Sequence, residues 1–244
     1  MNTLGLIRTL GPVDLRNIRR DPLLAWSVAL PVVMAFAMRW GVPALAAWLD
    51  GRYGFDLRPY YPLLASGYFG IAPAFVGFIV GFLLLDERDD GILDAMRTTP
   101  VPLASLLAYR IGVPIAAGLP VTLVGYLIVD LAPISVGALL AASLLAVFSG
   151  PIQALFLASF AENKVSGFAL TKLYGAVADL PLVAWFVAAP WQFAFGLIPL
   201  YWPLKVVWQA AAGAPWLGVA LVGFVVNALA VWLLLRRFER VIAR

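Results

Sequence analysis

Six apolar runs, at residues 23–47, 62–85, 103–129, 134–160, 166–190 and 215–235, dominate this chain, and each is long enough to cross about 30 Å of hydrocarbon. A backbone at that depth has no water to satisfy its polar groups, so runs of this length must be helices. The sequence therefore predicts an all-α integral membrane protein of six transmembrane helices. Six spans of roughly 20 to 25 residues use about 120 to 150 positions. Out of 244, this leaves room for loops and termini but not for a sizeable soluble domain, and residues 1–244 read as a single transmembrane domain. Apolar residues make up 63% of the chain and charged ones 12%, far from the soluble average of about 25% charged.

The distribution of cations predicts orientation. With the N-terminus inside, thirteen Lys and Arg fall on the inner side and four (Arg39, Arg52, Arg58 and Lys205) on the outer, a positive-inside bias that places both termini in the cytoplasm. Before the first span, Arg8, Arg16, Arg19 and Arg20 alternate with Leu6, Leu10, Val13, Leu15 and Ile18, more mixed than a cleaved leader. Residues 3–20 read as an amphipathic surface helix kinked at Gly11-Pro12, within a cytoplasmic segment 1–22; a basic leader that only sets topology is the alternative. Asp21-Pro22 suits the opening of the first span.

Two missing residue types narrow the chemistry. There is no Cys and no His, which excludes thiol nucleophiles, imidazole bases and His-rich metal sites. No G-x-x-x-x-G-K-[ST] occurs, so no nucleotide triphosphate is cradled in the P-loop manner. The basic residues flank hydrophobic spans, which argues against nucleic acid as a partner.

The densest charge cluster joins the second and third spans. Asp86, Glu87, Arg88, Asp89, Asp90, Gly91, Ile92, Leu93, Asp94, Ala95, Met96 and Arg97 hold five acids and two arginines, and Thr99-Pro100 follows. Ile92, Leu93 and Met96 give a short apolar face, so the sequence predicts an amphipathic helix of about two turns ended by Pro100. An acidic helix with an apolar face suits a protein groove better than anionic lipid; a solvated turn is the bland alternative.

Glu87-Arg88-x-x-Gly91-x-Leu93 followed by Thr99-Pro100 resembles the E-R-x-x-G-T-L-x-x-L-x-x-T-P loop of ABC transporter permeases of the type-2 export class, with Ile92 standing where the pattern has Thr. Arg19-Arg20-Asp21-Pro22 and Pro31 resemble the entry to the first span of that class. The resemblance implies a permease subunit that moves an amphiphilic small molecule, drug or lipid outward across the cell (inner) membrane. It also implies two copies of a separate ATP-binding subunit, which carry ATP and Mg, and a second permease chain, identical or related. This chain itself would hold no cofactor and no catalytic residue. The coupling segment falls on residues 86–101, and Arg16, Arg19, Arg20 and Asp21 form an N-terminal interface to the same subunit. An integral membrane enzyme of lipid metabolism and a secondary transporter are the competing readings.

Polar groups inside spans are costly and mark pathways. Gln153 after the Gly150-Pro151 break in the fourth span, Asp179 before Pro181 in the fifth, and Asn227 in the sixth are the substrate-pathway candidates; Asp179 as a cap at Pro181 or a partner of Lys172 is the structural alternative. Residues 191–213 are too apolar for a loop and too broken for a span. They read as short re-entrant helices on the outer face, an aromatic belt, or both. The stripe Ser66, Gly70, Ala74, Gly77 and Gly81 in the second span predicts close helix packing, either within one subunit or between two.

Overall fold

A computed structural model describes residues 3–91, 103–188 and 190–242. Among these residues there is no strand, and the helices are α1 (Thr3–Arg20), α2 (Pro22–Tyr53), α3 (Tyr61–Asp89), α4 (Leu103–Val129), α5 (Val136–Ala146), α6 (Ser149–Phe160), α7 (Lys164–Asp179), α8 (Tyr201–Ala211) and α9 (Leu217–Ile242). Short 3₁₀ segments cover Arg58–Tyr60, Leu180–Phe186 and Trp191–Leu197. Six segments are long and apolar enough to cross a membrane, the number read from the sequence. An even number of crossings brings both ends of the chain to one side of the bundle, called here the terminal face.

Local chemistry sets the boundaries. Asp21 Oδ1 accepts from the Leu24 N–H at 3.3 Å with Pro22 in the first position, so α1 ends and α2 begins within two residues. The surface helix at 3–20 is present and runs through Pro12, and α2 runs through Pro31 and Pro43. Asn163 and Ser166 form a reciprocal capping box that opens α7. The fourth span is broken into α5 and α6 at Val147-Phe148, directly before Gly150-Pro151. Pro151 falls in the first turn of α6, where a missing N–H costs nothing. The fifth span tightens from α-helix to 3₁₀ at Leu180-Pro181, one residue after Asp179.

The core is built around α3 and α6. A Cβ placed on Gly77 would lie 2.5 Å from the Gly150 carbonyl oxygen, and one on Gly81 would lie 3.2 Å from the Ala154 Cα. The small-residue stripe therefore serves packing inside the chain. Toward the far face, Tyr68, Phe69, Tyr126, Leu145, Leu204 and Trp208 form a buried cluster. Toward the terminal face, Val80, Leu84, Ala154, Leu155 and Phe238 join α3, α6 and α9. In contrast, α2, α7 and α9 leave large apolar side chains such as Trp26, Trp40, Leu173 and Phe224 exposed, as surfaces against lipid tails require.

Residues 191–213 hold a surface 3₁₀ turn followed by a short, largely buried helix. Eleven-residue α8 is about 16 Å long, half of a span, and its Tyr201, Leu204, Val207 and Trp208 are buried. It is pinned where Trp208 Nε1 donates to Ser66 Oγ at 2.8 Å. The preceding Trp191–Leu197 turn lies on the surface, with Trp191 75% and Leu197 88% exposed. Within this segment Lys205 donates to Gln192 Oε1, and burial lowers the Lys205 pKa from its ordinary value.

Candidate functional site

The acidic cluster divides differently from the sequence expectation. Asp86, Glu87, Arg88 and Asp89 belong to the last turn of α3 and not to a separate helix; Asp90 and Gly91 end it, with Gly91 at φ +70°, the left-handed geometry that glycine supplies. Ile92, Leu93, Met96, Arg97, Thr99 and Pro100, and with them the short amphipathic helix, lie outside the described residues.

Three of the four charges in this last turn are each tied to a different element, and Asp89 pairs with Arg88 beside it at 3.5 Å. Arg110 on α4 is 2% exposed, and its guanidinium grips Asp14 of α1 with two bonds, 2.7 Å to Oδ2 and 3.3 Å to Oδ1, while also donating to Glu87 Oε1. Tyr109 donates to Asp14 Oδ2 at 2.7 Å. One buried arginine thus joins α1, α3 and α4 through two carboxylates, the planar fork suiting a bidentate contact. Arg88 donates to the Ala158 carbonyl at 3.2 Å and the Glu162 carbonyl at 2.8 Å, satisfying acceptors left open at the end of α6. Asp86 meets Lys164 of α7 at 2.8 Å. The terminal end of α3 is therefore a hub for α1, α4, α6 and α7.

The N-terminal candidates separate by role. Arg16, Arg19 and Arg20 are exposed and, with Pro12 and Leu15, line a shallow concavity of about 360 Å³. Asp21 turns inward as the cap of α2.

Two of the three pathway candidates share one cavity. A space of about 340 Å³ opens between α2, α3, α6 and α7, lined by Ser27, Gly70, Phe75, Phe78, Gln153, Tyr174 and Asp179 among others, with Leu200 at one end. Its size lies at the lower end of drug-sized sites. Asp179 forms no salt bridge among the described residues, and no pairing with Lys172 occurs there. Asn227 is elsewhere: its amide donates to the Gly223 carbonyl at 2.9 Å and the Pro199 carbonyl at 3.3 Å, fastening α9 to the chain entering α8.

Asp14, Tyr109 and Arg110 were not singled out by the sequence as a group. The signal was the lone charge of Arg110 inside apolar α4, which at such a position calls for a buried partner.

Six membrane-length helices, a charged hub at one end and a cavity on the flank define a multi-pass membrane protein. The chain belongs to the family described as Rv2686c-like, fluoroquinolones export permease protein, which matches residues 14–235. It is 35% identical over 237 residues to the fluoroquinolones export permease proteins Rv2686c of Mycobacterium tuberculosis strain ATCC 25618 / H37Rv and MT2760 of strain CDC 1551 / Oshkosh, covering 94% of this chain and 92% of each relative. No solved structure matches the chain significantly. Membership of an export permease family agrees with the resemblance to ABC type-2 export permeases.

Proposed function

We propose that this chain is the membrane half of an ATP-driven drug exporter in the cell membrane. Two permease chains, identical or related, pair with two copies of an ATP-binding subunit that binds ATP and Mg and performs all hydrolysis. The terminal face is cytoplasmic, and the cargo is amphiphilic, with fluoroquinolones among the candidates by the names of the relatives. The observation that carries this reading is the hub. The segment joining α3 to α4 leaves α3 beside Glu87, and Glu87 is locked to Arg110 of α4 and through it to Asp14 of α1. A subunit that closes on ATP and presses residues 86–101 and the Arg16, Arg19 and Arg20 surface would move α1, α3 and α4 together, because a buried ion cluster resists separation. Arg88 and Asp86 would carry the displacement to α6 and α7, the walls of the cavity.

Co-expression with an ATP-binding subunit from the same source genome tests this. The pair is expected to co-purify and to show drug-stimulated ATP hydrolysis, and Glu87→Ala with Arg88→Ala is expected to abolish the stimulation while leaving basal hydrolysis. Export by the permease without any ATPase would refute the proposal, as would full stimulation in the double variant.

A further inference from the structure

The flank cavity presents an unusual pair of acceptors. Gln153 is 3% exposed and lines the cavity, and its Oε1 has no hydrogen-bond partner, a costly state for a buried carbonyl. Asp179 reaches the same space from the point where α7 tightens. Gly70 makes room opposite: a Cβ there would sit 3.8 Å from Asp179 Oδ1 and 2.9 Å from the Leu200 side chain. Among the described residues no Lys or Arg lines the cavity, and the rest of the wall is largely apolar, including Phe75 and Phe78. A second, almost wholly apolar chamber of about 370 Å³, between Met38, Leu64, Leu182 and Phe186, shares Ile71 with the first.

We propose that the first chamber is a binding site for the ammonium end of an amphiphilic cation, whose N–H groups donate to the Asp179 carboxylate and Gln153 Oε1 while its apolar body extends past Ile71 into the second chamber. A carboxylate and a partnerless amide oxygen in a largely apolar wall select for a donor that carries positive charge, with N–H groups for both acceptors. An anion of the same shape meets an uncompensated carboxylate and is disfavoured. The inference rests on the reading of the chain as a drug-export permease and specifies which end of the cargo it recognises.

The test uses the full chain in lipid nanodiscs and two fluorescent probes that differ in one charge: ciprofloxacin methyl ester, whose piperazine is protonated at pH 7, and its N-acetyl derivative, which is neutral. The cation is expected to bind about tenfold more tightly. Asp179→Asn should reduce that preference below about twofold without changing affinity for the neutral probe, and Gln153→Glu should raise affinity for the cation about tenfold, a gain that misfolding cannot imitate. Retention of the preference by Asp179→Asn, or no gain with Gln153→Glu, overturns the site. ATP-driven export, measured in vesicles containing the ATPase, reports separately on the export reading. A charge preference without export refutes that reading and leaves the site standing, and export without the preference does the reverse.

Discussion

Arg110→Met removes the cation that holds two carboxylates at the terminal end of the bundle. The side chains of Asp14 and Glu87 are only 13% and 14% exposed, so the variant strands two negative charges with little access to water. Removing one partner of a buried ion pair costs about 3–5 kcal/mol. Taking about 3 kcal/mol, because the cluster has an edge to solvent, the docking equilibrium of α1 shifts by roughly two powers of ten. Among the described residues α1 also packs Ile18 against the group around Leu24, Phe78 and Leu157, a small contact, so the loss should appear as undocking of α1 and not as global unfolding. Trypsin reads this directly, since Arg16, Arg19 and Arg20 are its sites and a helix must open to be cut. Cleavage there is expected to accelerate about a hundredfold in Arg110→Met. It should return to within about tenfold of the natural chain when Asp14→Asn and Glu87→Gln are added, because the stranded charges are then gone. A rate within about threefold of the natural chain for Arg110→Met alone would refute the claim that the cluster holds α1.

Further outcomes follow from the packing. Gly77→Ala drives a methyl into the Gly150 backbone and should lower stability by about 1–3 kcal/mol, whereas Gly218→Ala, with nothing within 4 Å, should not; thermal unfolding in detergent separates them. Trp208→Phe leaves Ser66 Oγ without its donor and should cost about 1 kcal/mol by the same assay, with a smaller loss when Ser66→Ala is combined with it. Burial lowers the Lys205 pKa, so the folded state resists its charge: the penalty is fully present below the lowered pKa and gone above the ordinary value of 10.5. Lys205→Met should accordingly gain most in unfolding temperature over the natural chain at acidic pH, with the gap narrowing as the pH rises toward 10.5.

Much of the fold was legible because the membrane simplifies the rules. Length and apolarity alone separate the six spans, and the Gly150-Pro151 and Leu180-Pro181 irregularities announce where the fourth and fifth change geometry. The end of α3 was harder to place, since hydropathy falls at Asp86 while backbone hydrogen bonding continues to Asp89. The candidate site was legible in its residue types but not in its pairings. Asp14 and Arg110 are 96 positions apart, and no periodicity links them. Arg110 also counted toward the positive-inside bias, which masked the second question a charge in an apolar helix raises. Asn227 was chosen on the same grounds as Gln153, but one faces a cavity and the other a backbone carbonyl, a distinction set by helix rotation in the assembled bundle.

The glycine contact between α3 and α6 carries a mechanical implication. Where backbone rests on backbone, no side chain can change rotamer to let one helix slide past the other. The two helices are therefore a single stiff spar, fixed again at its terminal end by the grip of Arg88 on the Ala158 carbonyl of α6 and the Glu162 carbonyl just beyond it. A displacement delivered to α3 is therefore shared by α6, so the wall bearing Gly70 and Gln153 moves as one rigid piece and the cavity changes shape only where α2 and α7 shift against it.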